Sequence, residues 1–212
     1  MKPRPTVAVV IPAHPARYSN GLLKRALESV TRQTRQPDEL LVMNDLQRHG
    51  SAKNRNRGVV AANTEWVALL DSDDVLRPDH LGLLVEHATR TGADLVYPWY
   101  DKIGAFDIWA NRFRRPFHSE ALRRGNFIAV TVLVKTRLLL SVGGFKDDLE
   151  LAPGRSACDE WGTWLRLLDA GARFEHLPEK TWVWHCHRGN TQGLPTRGDA
   201  RQTMPLDTAR AT

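Results

Sequence analysis

Apolar residues in the first hundred positions follow two patterns that alternate along the chain. Short runs rich in valine, leucine and isoleucine predict strands at Thr6–Ile11, Glu39–Met43 and Trp66–Leu70. Between these runs, apolar residues at helical spacing predict helices at Leu22–Gln33 and Ser51–Ala62. Because strands that alternate with helices build βαβ units, this pattern indicates an α/β fold with a mostly parallel central sheet flanked by helices.

The second half of the chain has a less regular pattern. Residues 78–90 predict a helix and Leu95–Tyr97 a short strand, whereas residues 98–125, which are rich in aromatic residues, suggest loops or a hairpin. The remaining expected elements are the strand Ile128–Lys135, a short helix ending at Gly143–Gly144, the helix Trp161–Leu168 and the strand Thr181–Trp184. Residues 193–212 lack periodicity and are expected to form a flexible tail. The pattern therefore predicts one domain over residues 1–192.

The composition agrees with a globular protein in the cytoplasm. The 212 residues are 42% hydrophobic and 25% charged, and no apolar run approaches the roughly 18 residues of a membrane span. The first residues do not read as a signal peptide, and the two cysteines, Cys158 and Cys186, do not make a disulfide framework. The net charge of +6 suits a polyanionic partner. It does not establish one, because an arginine-rich composition can simply reflect the genome.

An acidic cluster, Asp71–Asp74, directly follows the third predicted strand. Crowded carboxylates repel one another, and burial strengthens the repulsion. A hard divalent cation such as Mg²⁺ or Mn²⁺ relieves it, because these ions take oxygen ligands and share their remaining sites with phosphate oxygens. A helix N-cap is the alternative, since aspartate is favoured there and a helix is predicted soon afterwards. The position at the carboxyl end of a parallel strand, where ligands of such sheets bind, favours the metal site.

Two polar residues elsewhere in the first half are candidates for binding the same ligand. Asp45 ends the second predicted strand, where its carboxylate could accept the imide N–H of a pyrimidine base, although a plain turn aspartate fits equally well. Arg55 lies at a basic helix start that could reach a diphosphate, or could simply be solvated. In that helix we expect Val59, Val60 and Ala61 on the inner side and the basic and asparagine residues on the other.

An acid pair, Asp159–Glu160, comes immediately before the predicted helix Trp161–Leu168. A carboxylate next to aromatic residues at a helix start is a candidate general base for an acceptor hydroxyl. The competing interpretation is an N-cap aspartate with a glutamate in the first helical turn, which the helix dipole favours. The residues alone do not decide between the two.

Taken in order, seven motifs of this chain resemble those of the inverting glycosyltransferases of family 2, which have the GT-A fold. The motifs come from the beginning, middle and end of the chain and span roughly residues 6–192. They are Val9–His14, Leu22–Thr34, Pro37–Asp45, Ala52–Gly58, Val67–Asp74, the pair Ser141–Phe145 and Asp159–Leu167, and Trp184–His187. Each motif is weak by itself, and the resemblance depends on their order and spacing.

The resemblance implies a role for each matching residue. Residues 1–97 would bind the donor and residues 98–192 the acceptor. The implied donor-binding residues are Pro12, Ala13, His14, Asp45, Arg55, Asp71, Ser72 and Asp73, and the implied metal ligands are Asp73, Asp74 and His187. Glu160 falls where the family's catalytic base lies, with Asp159 beside it. The implied reaction moves a sugar from a nucleoside-diphosphate sugar, a UDP-sugar being favoured, to an acceptor hydroxyl, with Mn²⁺ or Mg²⁺ as cofactor and inversion at the anomeric carbon.

The chain departs from the family pattern at three positions. Asn44 stands where the first acid of an aspartate pair is usual, which leaves Asp45 in place but weakens any account of how the base is recognised. The order of the acid pair is exchanged, so either Asp159 or Glu160 could be the base, and the spacing favours Glu160. His185 replaces the arginine that commonly precedes the last histidine.

Two other functions fit parts of the sequence. A nucleotidyltransferase that forms sugar nucleotides would share the order of strands and helices, but it needs a glycine-rich loop after the first strand, and no glycine occurs there before Gly21. A nucleic-acid-binding domain without catalysis could use the arginine-rich segment Arg112–Arg115, but it leaves the acidic cluster unexplained. The acceptor could be a modified DNA base, a protein side chain or a glycan, and the sequence indicates no oligomeric state.

Overall fold

The fold is a layered arrangement of sixteen helices and strands in a computed structural model that describes residues 3–104, 115–146, 150–152, 155–156 and 159–187. The predicted tail, 193–212, and Cys158 lie outside the described residues. In chain order the elements are β1 (Val7–Ala13), α1 (Ala16–Ser19), α2 (Leu22–Thr31), β2 (Glu39–Asn44), α3 (Ser51–Ala61), β3 (Trp66–Leu69), β4 (Val75–Leu76), α4 (His80–Thr91), β5 (Leu95–Gly104), α5 (Ser119–Arg124), β6 (Leu133–Lys135), α6 (Thr136–Ser141), β7 (Glu150–Ala152), β8 (Arg155–Ser156), α7 (Asp159–Asp169) and β9 (Phe174–Cys186).

A seven-stranded sheet with the strand order β2-β1-β3-β6-β5-β9-β4 forms the centre of the molecule. The strands β1, β2 and β3 are mutually parallel, β6 is antiparallel to both β3 and β5, and β9 is parallel to β5. Five strands, β1, β2, β3, β5 and β9, therefore run in one direction, and β6 and β4 run in the other. The predicted α/β class with a mostly parallel sheet is confirmed. A separate two-stranded ribbon pairs β7 with β8.

Helices cover both faces of this sheet because its central strands are buried on both sides. Neighbouring residues of β1 show this alternation, since Val9 belongs to one apolar cluster and Val10 to the other. The first cluster receives side chains from α2 and α4, and the second receives side chains from α3, α5, α6 and α7. Every residue of β1 is buried, which explains why this strand reads as a continuous apolar run.

The strands and helices of the first half lie close to their predicted positions, whereas several in the second half do not. β5 extends to Gly104 and β9 begins at Phe174, because the two strands pair in parallel over almost their whole length. Residues 98–125 were expected to form loops or a hairpin, whereas residues 98–104 belong to β5 and Ser119–Arg124 is a helix. β6 covers only Leu133–Lys135 of the strand expected from Ile128. Pairing partners far apart in the sequence determine these lengths, so local patterns do not reveal them.

The prediction for the inner side of α3 was correct for Val59 and wrong for Val60 and Ala61. Val60 is 71% exposed and Ala61 is also exposed, while Asn54 and Arg55 are buried together with Gly58 and Val59. Successive helical residues are rotated by about 100°, so Val59, Val60 and Ala61 cannot all face the sheet. A buried arginine is unusual, and its presence here depends on carboxylates from other elements, as described below.

Gly58 is the position at which α3 approaches β1 most closely. A Cβ atom at this position would lie well inside van der Waals contact with Val10 Cγ1 and 3.2 Å from Met43 Cγ. Both neighbours belong to or pack against the second apolar cluster. The absence of a side chain therefore determines how closely the helix that carries Arg55 lies against the sheet.

We expect Gly58→Ala to lower the free energy of unfolding by about 1–3 kcal/mol, because the added methyl group overpacks the contact with Val10. The matched control is Gly82→Ala in α4, where the nearest atom to the new Cβ, Arg35 Cβ, is 3.9 Å away. This control should gain about 0.5–1 kcal/mol from helix propensity. Urea denaturation of the two variants measures the difference, and equal stabilities would contradict the close packing of α3.

Candidate active site

Four strand ends bring the polar residues of the site together at one edge of the sheet. β1, β2, β3 and β9 run in the same direction, so their carboxyl ends lie at this edge. Ala13 ends β1, Asp45 follows β2, Asp71 follows β3 after Leu70, and His187 follows β9. The edge at which ligands of such sheets bind is thus lined by residues from the beginning, the middle and the end of the chain.

The acidic cluster forms a tight turn at the end of β3. The backbone N–H of Asp74 donates to the carbonyl of Asp71 at 3.1 Å, which closes the turn. One carboxylate oxygen from each of Asp71, Asp73 and Asp74 lies within 4.8 Å of the others. Ser72 and Asp74 are buried, and the other two aspartates are partly exposed. The turn therefore concentrates negative charge where little water is available to solvate it.

Asp73 lies at the centre of this turn and receives two nitrogen donors on a single oxygen. Arg17 Nη2 and His187 Nε2 each lie 3.0 Å from Asp73 Oδ2. Burial and the charge of Asp71 raise the pKa of the Asp73 carboxyl, and Arg17 and His187 offset part of that increase. The sequence prediction that Asp73 and His187 lie together agrees with this contact, whereas Arg17 was not anticipated.

Asp74 connects the acidic turn to the end of β9. Its Oδ1 accepts the backbone N–H of His185 at 2.9 Å, and its side chain is almost completely buried. Burial, followed by the neighbouring charges of Asp73 and Asp71, raises the pKa of Asp74 well above its ordinary value. The contact with His185 holds the last residues of β9 against the turn, which places His187 beside Asp73.

The residues of the turn fit a hard divalent cation. One oxygen from each of three carboxylates lies close enough to the others to provide the oxygen ligands that Mg²⁺ and Mn²⁺ prefer, and His187 contacts one of these carboxylates. The raised pKa values of Asp73 and Asp74 mean that their ionised forms lack sufficient positive charge nearby. Within the described ranges, this is the one group of three or more acidic, histidine or cysteine side chains with such a geometry.

Arg55 joins the acidic turn to the acid pair at the start of α7. Its side chain is buried, with Nη2 2.7 Å from Asp71 Oδ1 and Nη1 2.5 Å from Asp159 Oδ2. The guanidinium also lies over the ring of Phe145, 5.5 Å from the ring centroid. Although burial lowers the pKa of Arg55, the charges of Asp71 and Asp159 more than compensate and raise it. Arg55 therefore links the first and second halves of the chain by buried charge.

The two acids at the start of α7 have opposite proton affinities. Burial acts against ionisation of Asp159, but Arg55 and a hydrogen bond from Glu160 hold the pKa of Asp159 below its ordinary value. Burial first, and then the hydrogen bond to Asp159 and its charge, raise the pKa of Glu160 to about 8. Near neutral pH the pair consequently holds one proton, which lies on Glu160. A carboxyl group tuned in this way is suited to proton transfer near neutral pH.

Asp45 organises the loop that leads from β2 to α3. Its carboxylate accepts the backbone N–H groups of His49 at 2.6 Å and Gly50 at 3.0 Å. Burial opposes ionisation, but hydrogen bonds from Asn54, Gly50 and His49 together lower the pKa of Asp45. Arg48, within the same loop, has a left-handed φ of 56°. The carboxylate thus stabilises the loop, and recognition of a base by Asp45 stays a prediction.

The loop after β1 completes the edge of the site. Pro12 and Ala13 are buried at the end of β1. They lie beyond Val10, the last residue of β1 that pairs with β3. His14 is exposed, and its Nδ1 accepts the backbone N–H of Ala16 at 3.2 Å. Tyr18, in the short helix α1, donates its hydroxyl to the Asn44 side chain at the end of β2. The loops after β1 and β2 therefore contact each other at the position where a nucleoside would be expected.

Three contacts of the site were missed by sequence reasoning. Arg17 reaches Asp73 from α1, and Arg25 on α2 contacts His185 Nε2. Asn56 on α3 exchanges two hydrogen bonds with the backbone of Phe145, at 2.7 and 2.8 Å. Each contact joins residues that are far apart in the sequence. The Gly-Gly-Phe motif that ends at Phe145 was the only sequence signal for any of these contacts. It indicated the segment that contains Phe145 but not its partner Asn56.

The aromatic and arginine-rich middle of the chain is only partly described. Trp109 and residues 112–114 lie outside the described residues. The guanidinium of Arg115 lies over the ring of Phe127, 4.4 Å from its centroid, and Trp99 packs against His176 with 5.3 Å between ring centroids. These contacts do not indicate a nucleic-acid surface. In the part of the chain that the structure describes, no helix is long and apolar enough to cross a membrane.

Parts of the chain match known sequences. The sequence model described as Glycosyl transferase family 2 matches residues 46–145. The succinoglycan biosynthesis protein ExoW of Rhizobium meliloti (strain 1021) is 32% identical over 115 residues, covering 42% of this chain and 35% of ExoW. The succinoglycan biosynthesis protein ExoO of the same organism is 46% identical over 46 residues, covering 22% of this chain and 13% of ExoO. The chain thus spans about a third or less of these relatives.

Solved structures share the fold. The crystal structure of S. aureus TarS 1–349 in complex with UDP-GlcNAc has a TM-score of 0.69 and 18% sequence identity, covering 87% of this chain and 60% of that chain. The complex of TarS 1–349 with UDP has a TM-score of 0.64 and 16% identity, covering 85% and 60% of the two chains. At this identity the likeness concerns the fold alone. The GT-A fold expected from the seven motifs is confirmed, and the family model that matches residues 46–145 is that of the family the motifs resemble.

We expect Arg55→Met to lower the free energy of unfolding by about 3–5 kcal/mol, because it leaves the carboxylate of Asp159 buried and unpaired. The matched control is Arg123→Met, which removes the same charge from a pair with Asp169 whose side chains are 45% and 60% exposed. That exposed pair should contribute less than about 1 kcal/mol. Thermal and urea unfolding measure both effects, and a loss for Arg55→Met no larger than the control's would contradict the buried linkage.

Proposed function

We propose that this chain is a family 2 glycosyltransferase that transfers a sugar from a nucleoside-diphosphate sugar to an acceptor hydroxyl with the help of a divalent cation. One observation carries the proposal. Arg55 joins an acidic turn suited to a cation and a diphosphate to an acid pair suited to proton transfer. We assign donor binding to residues 1–97, which contain the acidic turn, and acceptor binding to residues 98–192, which contain Glu160.

Asp71, Asp73, Asp74 and His187 are the residues that would hold the cation. When bound, Mn²⁺ or Mg²⁺ would supply Lewis-acid stabilisation of the charge on the departing diphosphate. Asp73 and His187 already lie in contact, and Asp74 fixes the end of β9 beside them. These contacts arrange the ligands before the donor arrives, which reduces the cost of ordering them during the reaction.

Glu160 is the proposed general base. Its carboxylate would take the proton of the acceptor hydroxyl as the acceptor oxygen bonds to the anomeric carbon and the bond from that carbon to the diphosphate oxygen breaks. This single displacement inverts the configuration at the anomeric carbon. Asp159 is the poorer candidate, because it is bound to Arg55 and its pKa is lowered. Its role would be to raise the pKa of Glu160 towards the working pH.

The donor is proposed to be a UDP-sugar. TarS, which has the same fold, was crystallised with UDP-GlcNAc and with UDP. In this chain, Pro12, Ala13 and Asp45 would frame the nucleoside at the ends of β1 and β2, with His14 and Ser72 nearby. For the acceptor, a glycan is better supported than a modified DNA base or a protein side chain, because both matched relatives are succinoglycan biosynthesis proteins.

We expect kcat/KM of the wild type to rise by about tenfold per pH unit below a pKa near 8, where Glu160 loses its proton, and to level off above it. The value of kcat/KM rises with pH because only the ionised carboxylate of Glu160 can accept a proton. Initial rates of UDP release from a UDP-sugar with a glycan acceptor, measured between pH 6 and 9, provide the profile.

We expect Glu160→Gln to lower transfer by at least roughly 100-fold while the dissociation constant for UDP stays close to that of the wild type. The amide keeps the size of the side chain but cannot accept the proton. Transfer rates and UDP titrations by calorimetry separate the two effects. Near-normal turnover in this variant would remove Glu160 from the mechanism.

We expect Asp73→Ala to weaken Mn²⁺ binding by at least roughly tenfold and to abolish transfer together with it. Asp169→Ala is the matched control, since it removes an exposed carboxylate on α7 far from the acidic turn. A screen of UDP-, dTDP- and GDP-sugars with Mn²⁺ identifies the donor used for these assays. If Asp73→Ala keeps wild-type Mn²⁺ affinity, the cation is held elsewhere.

A further inference from the structure

Arg17 occupies a position in the acidic turn that neither the motifs nor the comparisons assign. It lies in α1, in the loop between β1 and α2, and reaches across the sheet edge to Asp73. Its side chain is only 11% exposed, so the guanidinium is held within the site and does not extend into solvent. The side chains of Arg17 and Arg55 bring positive charge to the turn from opposite directions, at Asp73 and Asp71 respectively.

The contact of Arg17 lies on a carboxylate that a metal ion would use. Arg17 Nη2 and His187 Nε2 both approach Asp73 Oδ2 at 3.0 Å. Asp73 is also one of the three carboxylates that converge within 4.8 Å. A guanidinium and a divalent cation compete for the same carboxylate, because both are attracted to its negative charge and they repel each other.

We propose that Arg17 is an exchangeable counter-cation, which binds Asp73 in the donor-free protein and binds the diphosphate of the donor once a divalent cation occupies the turn. The proposal rests on the proposed function, since it needs the cation and the diphosphate at this site. It adds a residue that positions the donor and a reason for the two ligands to bind together.

Charge explains why the exchange is favourable. Without a cation, the crowded aspartates need Arg17, because their ionised forms are destabilised by burial and by one another. A divalent cation neutralises the carboxylates and weakens their attraction for the guanidinium of Arg17. The diphosphate then offers this guanidinium another acidic partner, and pairs of its non-bridging oxygens suit the fork of donors on an arginine.

The exchange also predicts a coupling between the two ligands. Displacing Arg17 from Asp73 opposes binding of the cation alone, whereas the donor removes that opposition by accepting the guanidinium. The cation should therefore bind more tightly in the presence of UDP, and UDP more tightly in the presence of the cation, by the same factor. Loss of Arg17 should reduce this factor.

The test measures Mn²⁺ and UDP binding to the full chain and requires no transfer activity. We expect Arg17→Met to bind Mn²⁺ alone about fivefold or more tightly than the wild type, because the competing ion pair is gone. With saturating Mn²⁺, the same variant should bind UDP about tenfold or more weakly, because a charged hydrogen-bond donor to the diphosphate is lost. Calorimetry measures both affinities, and electron paramagnetic resonance of free Mn²⁺ checks the first.

Three further variants serve as controls. Arg32→Met removes the same charge just after α2, where the arginine is 73% exposed, and should leave both affinities unchanged. Arg17→Lys keeps the charge without the planar fork and should remain closer to the wild type than Arg17→Met in both measurements. Arg17→Gln replaces the methionine variant if that variant does not fold, with tighter Mn²⁺ binding again expected.

Tighter Mn²⁺ binding is the decisive result, because structural damage at the site would weaken it. If the uncharged variants bind Mn²⁺ no more tightly than the wild type while Asp73→Ala loses Mn²⁺, the exchange is wrong and the proposed metal site stands. If UDP binding weakens with no change in Mn²⁺ affinity, the exchange is likewise wrong. If Asp73→Ala keeps wild-type Mn²⁺ affinity, the metal site of the proposed function fails, and the proposal for Arg17 fails with it.

Discussion

The site depends on the two ion pairs that the buried guanidinium of Arg55 forms. The guanidinium binds Asp71 at the end of β3 and Asp159 at the start of α7, two residues that belong to different halves of the chain. Both carboxylates stabilise the buried guanidinium, and the guanidinium in turn stabilises the buried carboxylate of Asp159. Gly58 lets α3 pack closely on β1, and Asn56 ties the same helix to Phe145 beneath the guanidinium. Packing and charge therefore fix the position of one side chain, and that side chain fixes the relative position of the two acidic groups.

The acid pair and the acidic turn differ in how much positive charge lies near each carboxyl group, and the pKa shifts of these groups differ accordingly. Asp159 lies next to Arg55 and is held ionised, so its neighbour Glu160 keeps a proton up to a pKa of about 8. In the acidic turn, burial and the charges of neighbouring aspartates raise the pKa values of Asp73 and Asp74, and Arg17 offsets only part of this increase. In the proposed mechanism the acid pair accepts a proton and the acidic turn holds a cation. Burial is the largest cause of the raised pKa values in both groups.

Much of the fold and part of the site could be predicted from the sequence. The features that could not be predicted depend on contacts between residues far apart in the chain. The strands β1, β2 and β3 were recognisable because their apolar runs are continuous, and parallel strands ending in polar residues implied one shared edge. The proximity of His187 to Asp73 could be expected only through the family resemblance, since 114 residues separate them. The lengths of β5 and β9 depend on their mutual pairing, and the inward face of α3 depends on Arg55 and its distant carboxylates. Arg17 carried no signal at all, because an arginine in a loop is ordinary until the fold places it against Asp73.

The turn Asp71–Asp74 is proposed to hold the cation and the diphosphate of a nucleotide-sugar donor. Anomalous diffraction at the manganese edge, from crystals of the full chain grown with Mn²⁺ and UDP, tests it most directly. If the turn holds the cation, we expect one manganese peak at about 2.0–2.3 Å from its carboxylate oxygens, with diphosphate oxygens among the other ligands. UDP bound at the edge of the sheet with manganese absent from the turn, or bound away from these aspartates, would contradict it.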